Sequence, residues 1–172
     1  VFEKSVQFAK KSQKDDQKRV LIVEGGPGTG KTVVAINILA ELIGEDMMAQ
    51  YVSKNTAPRE VYKQKLRGDK MVKEIENLFT GSGGFYNVEE GSIPALIADE
   101  AHRLNEETGF LGEGENQIME IIKASKFSVF FIDESQRVHI NDIGSKEEIR
   151  KHASDMDAEI KEIELKSQFR CK

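Results

Sequence analysis

Val20-Leu-Ile-Val-Glu24-Gly25-Gly-Pro-Gly28-Thr-Gly30-Lys31-Thr32 runs from an apolar strand through a glycine-rich loop into a helix, and that order decides the fold. The spacing Gly25-x-x-x-x-Gly30-Lys31-Thr32 is the full P-loop pattern. Its glycines let the backbone curl until successive N–H groups face an anion, while Lys31 reaches terminal phosphates and the Thr32 hydroxyl serves Mg2+. Gly25, Gly26, Pro27, Gly28, Thr29, Gly30, Lys31, Thr32 and Val33 are therefore the expected nucleotide-binding residues. From Val33 to Ile43 there is no proline or glycine, and the segment is apolar on nearly all sides, as suits a helix tucked against a sheet. Its start offers free N–H groups and the positive dipole end to the phosphates.

At 172 residues the chain suits one domain, residues 1–172. Its 38% hydrophobic and 32% charged residues are the mixture of a globular chain and exclude a disordered one. No apolar run approaches membrane-spanning length, so we expect no membrane partner and a cytoplasmic location. Cys171 is the one cysteine, which excludes an internal disulfide framework, and with His102, His139 and His152 it makes no zinc-ligand spacing. A chain that opens at Val1 and stops at Lys172, just past a motif-like segment, is expected to be a piece of a longer protein.

The net charge of -5 argues against binding nucleic acid by bulk attraction. The charge is uneven: Lys54 to Glu76 holds seven bases against four acids, and Asp142 to Glu164 holds eight acids against four bases. The basic stretch could touch a phosphate backbone; a solvated helix face accounts for the same residues.

Periodicity predicts helices over Phe2–Gln17, from Pro58 through Phe79 with a break at Gly68, over Glu115–Ala124, and from the capping box Ser145-Lys-Glu-Glu148 onward. In the last of these, Ile149, Ala153, Met156 and Ile160 follow the helical period. Strands are expected at Arg19–Glu24, Ala49–Ser53, Ile93–Ala98, Phe127–Ile132 and Ile163–Phe169, with loop from Gly81 to Ser92 anchored by Phe85 and Tyr86. Strands separated by helices imply a three-layer α/β fold with a mostly parallel sheet, whose ligands bind at the carboxyl ends of the strands. Gly25, Lys54, Asp99 and Asp133 fall at those ends.

Asp99 follows Ala95-Leu-Ile-Ala98 as the acid of a second nucleotide motif would, able to help Thr32 hold Mg2+. Glu100 beside it is placed to orient and deprotonate a water attacking the γ-phosphate, which favours hydrolysis over transfer to an acceptor hydroxyl. Gln136, in Asp133-Glu-Ser-Gln136-Arg137, carries a neutral amide suited to sensing the terminal phosphate and that water. Arg170 is a candidate for stabilising charge on the transferring phosphoryl group. His102 either couples the nucleotide site to a neighbouring element or satisfies a local carbonyl.

Six strings carry a family resemblance: Glu24-Gly-Gly-Pro-Gly-Thr-Gly-Lys-Thr32, Val52-Ser-Lys-Asn-Thr-Ala-Pro-Arg59, Asp99-Glu-Ala-His-Arg-Leu-Asn105, Gly114-Glu-Asn-Gln-Ile118, Phe131-Ile-Asp-Glu-Ser-Gln-Arg-Val138 and Leu165-Lys-Ser-Gln-Phe-Arg-Cys171. The chain resembles a bacterial schlafen group 3-like DNA/RNA helicase domain, within superfamily 1 helicases and P-loop ATPases. The resemblance implies a RecA-like motor domain with a five-stranded sheet in the order 5-1-4-3-2. It implies that Lys31 and Thr32 belong to motif I, Asp99 and Glu100 to motif II, Gln136 to motif III and Arg170 to motif IV. The stretch Ser53, Lys54, Asn55, Thr56 and Ala57 resembles motif Ia, which touches single-stranded nucleic acid in helicases, and Arg59 extends that candidate surface.

The pattern also departs from the family. Ile132-Asp133 stands where superfamily 1 proteins usually have Gly-Asp, Gln7 is no convincing stand-in for the adenine-reading glutamine, and the piece is expected to lack the second RecA-like domain. The expected function is Mg2+-dependent binding and hydrolysis of ATP, releasing ADP, as the first motor domain of a helicase-like protein acting on single-stranded DNA or RNA. The alternatives are an ATP-driven conformational switch without helicase activity and a small-molecule kinase. Alone, the piece is expected to turn over slowly.

Overall fold

The computed structural model describes residues 1–54, 78–106, 114–136 and 142–166. Their order is α1 (Phe2–Asp15), β1 (Arg19–Glu24), α2 (Lys31–Gly44), β2 (Ala49–Val52), β3 (Phe79–Thr80), β4 (Ile93–Ala98), α3 (Gln117–Ala124), β5 (Ser125–Ile132), α4 (Lys146–Asp155) and β6 (Glu159–Glu164). The strands make a six-stranded sheet in the order β3-β2-β4-β5-β1-β6, and each neighbouring pair is parallel.

Alternation along the central strands sends side chains to both faces, and each face is covered by helices. Leu21, Val23, Phe127, Val129 and Phe131 pack beneath α1 and α2, in one cluster with Phe8, Ile38, Leu39 and Leu42. Val20, Ile22, Phe130 and Ile132 point the other way, against Ile118, Ile121, Ile122, Ile149 and Ala153 of α3 and α4. A sheet buried on both sides reads as near-continuous apolar runs, as Val20–Val23 and Val129–Ile132 do.

Local chemistry sets the element ends. Both α2 and α4 close with paired bonds of the Schellman type: Met47 N–H reaches Leu42 O and Asp46 N–H reaches Ile43 O, as Ala158 reaches Ala153 and Asp157 reaches Ser154. Asp46 (φ 58) and Asp157 (φ 52) hold the left-handed position in these turns. Asn116 caps α3 by accepting from Ile118 and Met119, and Ser145 caps α4 by accepting from Glu148 N–H.

Four expectations need correction. The sheet has six strands rather than five, and its order differs from 5-1-4-3-2 because β3 joins the edge beside β2; the five expected strands keep their mutual neighbours. Phe79 lies in β3, packed on the Tyr51 ring, and not on a helix; two residues are too few to show a strand's alternation. Met156 and Ile160 do not continue α4, since the Asp157 turn ends the helix and Ile160 pairs with Val20 in β6. That strand accordingly spans Glu159–Glu164 rather than Ile163–Phe169. In the Gly81–Ser92 segment, a short 3-10 turn at Ser82–Gly84 precedes the two expected anchors, of which Phe85 is buried and Tyr86 only partly so.

Candidate functional site

The parallel sheet brings the carboxyl ends of β1, β5 and β4 side by side, and each delivers part of one site. After β1 the chain turns through Gly28 (φ 72) and Gly30 (φ 84), left-handed conformations that cost a residue with a Cβ but not glycine. Among the described residues no side chain caps α2, and its first turn holds no acid, so its leading N–H groups keep their bonding capacity for an anion. Lys31 folds back over the loop, donating to Gly25 O (2.5 Å) and Gly26 O (2.9 Å) and lying 3.5 Å from Asp133 Oδ2. Thr29 is buried with its hydroxyl on Gly26 O, whereas the Val33 side chain is 56% exposed.

Asp99, at the end of β4, meets the loop directly: Thr32 Oγ1 donates to its Oδ2 at 2.7 Å. Glu100 N–H donates to Asp99 Oδ1 at 2.9 Å, and Glu100 itself takes a left-handed backbone (φ 52, ψ 44). The Glu100 carboxylate is partly exposed and lies 3.5 Å from Arg103.

Asp133, at the end of β5, gathers the third group. Its Oδ2 accepts from Gln136 Nε2 at 2.9 Å and faces Lys31, while Oδ1 accepts from the Ser135 hydroxyl. Burial pushes this carboxyl up, but the Ser135 hydroxyl and the Lys31 charge pull harder, and it ends below the usual carboxylate range. Gln136 and Lys31 therefore share one oxygen. His102 is 2% exposed, its Nδ1 has no hydrogen-bond partner among the described residues, and burial pushes it below the ordinary histidine range against the pull of Glu100 and Asp133.

The nucleic-acid candidates are less gathered. Ser53 is buried, its N–H paired with Thr80 O. Lys54 is exposed and donates to Arg103 O (3.2 Å) and Asn105 Oδ1 (2.9 Å), tying the exit of β2 to the turn after Asp99. Asn55, Thr56, Ala57, Arg59, Arg137 and Arg170 lie outside the described residues.

Sequence reading missed three partners. Asp133 was singled out only as part of a polar strand end, not as the partner of Lys31. Glu24, the last residue of β1, pairs with Lys146 Nζ at 2.5 Å, and Lys146 N–H is held by Glu134 Oε1 at 2.8 Å. Tyr51 OH donates to Asp99 Oδ2 at 2.5 Å; a phenol buried in a strand needs such a partner, and that was the available signal.

A two-sided parallel sheet with this loop, Asp99 and Asp133 at adjacent strand ends defines a RecA-like P-loop ATPase fold. The family model described as "Schlafen group 3, DNA/RNA helicase domain" matches residues 18–172, and the chain belongs to that family. No curated protein sequence matches it. Similar solved structures include the Pyrococcus furiosus Hef helicase domain, with TM-score 0.47, 13% identity, and coverage of 94% of this chain and 38% of that one. The AMPPCP-bound DnaA from Aquifex aeolicus has TM-score 0.41 and 17% identity, covering 94% of this chain and 46% of that one. The DnaC helicase loader has TM-score 0.40 and 13% identity, covering 95% and 89%. These scores carry no functional weight. The chain spans less than half the length of the Hef and DnaA chains it resembles.

Proposed function

We propose that the chain is the ATP-binding and ATP-hydrolysing domain of a helicase-like motor, one RecA-like unit of a longer protein. The observation that carries this reading is the convergence on one P-loop of Thr32 with Asp99 (2.7 Å) and Lys31 with Asp133 (3.5 Å). The loop and α2 N–H groups would bind the β- and γ-phosphates. Lys31 would exchange the Gly25 and Gly26 carbonyls for phosphate oxygens, and Asp133 would keep the ammonium aimed into the loop.

The hydroxyl of Thr32 and the carboxylate of Asp99 are hard oxygen donors already in contact, which fits Mg2+, and these two residues would hold it. When bound there, Mg2+ neutralises charge that develops on the phosphate oxygens. Glu100 takes the proton of the attacking water as its oxygen bonds the γ-phosphorus and the bond to the leaving ADP oxygen breaks. Gln136, released from Asp133, orients that water, and Arg170 adds positive charge to the transferring group. Lys54 is the described candidate for contact with single-stranded DNA or RNA.

A conformational switch without translocation is the second reading, favoured by the one carboxylate oxygen shared between Lys31 and Gln136, which would report phosphate binding to the turn after β5. Both readings are tested by the ATPase rate of the full-length protein with and without single-stranded DNA and RNA, with Glu100→Gln as control. Stimulation by a polymer, abolished in that variant, supports the motor. Turnover that neither polymer changes supports the switch, and turnover that survives Glu100→Gln refutes the assigned base.

A further inference from the structure

We infer that Tyr51 is a positioning residue for the metal-directing carboxylate of Asp99, acting from the strand that leads to Lys54. This rests on the reading of the site proposed above.

Tyr51 is fully buried in β2, with Phe79 of β3 on one side in register and Ile97 of β4 on the other. Its ring packs against Phe79 at a centroid distance of 5.5 Å and a tilt of 58°, which fixes where the hydroxyl points. That hydroxyl donates to Asp99 Oδ2 at 2.5 Å, the same oxygen that accepts from Thr32 Oγ1 at 2.7 Å. Glu100 N–H takes Oδ1 at 2.9 Å. The carboxylate is thus held by donors from β2, α2 and its own turn.

A carboxylate offers about four lone-pair directions. Thr32, Tyr51 and Glu100 N–H take three of them among the described residues, and the one that remains is on Oδ1. Such a carboxylate suits accepting from a water on a hydrated cation better than direct bidentate coordination. Without the phenol, Oδ2 keeps Thr32 alone and the carboxylate gains freedom to rotate about its χ angles. Nucleotide without cation makes no demand on that orientation; nucleotide with Mg2+ does. Lys54, three residues on, holds the far end of the same turn through Arg103 O and Asn105 Oδ1, so β2 grips the Asp99–Asn105 turn at both ends.

The test compares ATP affinity in Mg2+ and in EDTA for the wild type and Tyr51→Phe. The variant is expected to lose about tenfold of the Mg2+-dependent gain in affinity, with its EDTA affinity unchanged within about twofold. A Tyr51→Phe protein that keeps the full Mg2+ gain, or loses both affinities equally, overturns the inference. A measurement on the wild-type side chain stands beside it, in case the variant does not fold. In NMR of ring-labelled tyrosine, assigned with Tyr62→Phe and Tyr86→Phe, the Tyr51 signal is expected to move when Mg2+ joins the protein–ATP complex. A Tyr51 signal indifferent to Mg2+ also overturns the inference. A wild type that shows no Mg2+ gain at all refutes the proposed site, and this inference with it.

Discussion

Replacing Gly144 with alanine tests the scaffold that carries the acidic pair. A Cβ at Gly144 would lie 1.8 Å from Ala101 O, 2.5 Å from His102 Cα and 2.6 Å from Ala101 C, all backbone atoms of the turn that follows Asp99-Glu100. Restoring the 3.4 Å of ordinary contact requires the two segments to part by about 1.6 Å. That movement breaks the bond from Ile143 N–H to Leu104 O (2.9 Å) and strains the antiparallel bridge of Asn105 with Asp142. Overpacking of this kind costs ~1–3 kcal/mol and a lost hydrogen bond ~1 kcal/mol, so we expect a loss of roughly 2–4 kcal/mol. For a chain of this size the midpoint should fall by about 5–15 °C. Thermal and urea unfolding of Gly144→Ala measure it, with Gly44→Ala as control, since a Cβ at Gly44 meets nothing within 4 Å. A Gly144→Ala midpoint within about 1 °C of wild type refutes the close approach and the clamp built on it.

Lys18 donates to Ile122 O (2.8 Å) and Lys123 O (3.1 Å), carbonyls at the end of α3 that the helix itself cannot satisfy, and to Ser125 O (2.7 Å) at the start of β5. Lys18→Met keeps much of the stem and removes the donors, so urea unfolding should show a loss of about 1–3 kcal/mol; a loss under about 0.5 kcal/mol would contradict the capping role. His102 is held below its ordinary range, so the folded chain takes up its proton later than the unfolded chain. Stability should therefore be full above about pH 6.5 and decline as pH falls from there toward the folded value, and His102→Gln should flatten that part of the profile. An unchanged profile in the variant would remove His102 from the acid response. Glu100→Gln should retain ATP binding and lose turnover by about a hundredfold or more, measured by phosphate release; equal losses of both would mean the side chain serves binding instead.

The two-faced sheet was legible because β1 and β5 are long apolar runs flanked by helix periods, and the P-loop because glycine, lysine and threonine leave one geometry that serves them all. The Asp99 contact was legible for the same reason, as an acid at a strand end beside that loop. β3 was not, since Phe79 and Thr80 are held by pairing with β2 rather than by any pattern of their own. The end of α4 was misread because Asp157 supplies the left-handed turn that glycine more often marks, and the apolar period runs on past it. The Tyr51–Asp99 bond joins residues 48 apart in sequence, and only the adjacency of β2 and β4 brings them together.

The most direct measurement is equilibrium binding of ATP with Mg2+ to the wild-type chain, Lys31→Ala and Asp99→Asn. The geometry of the cradle predicts saturable binding by the wild type, at least about tenfold weaker binding by Lys31→Ala with or without the cation, and a loss in Asp99→Asn that EDTA erases. Equal affinity across the three proteins, or none in the wild type, would contradict a triphosphate site at this loop.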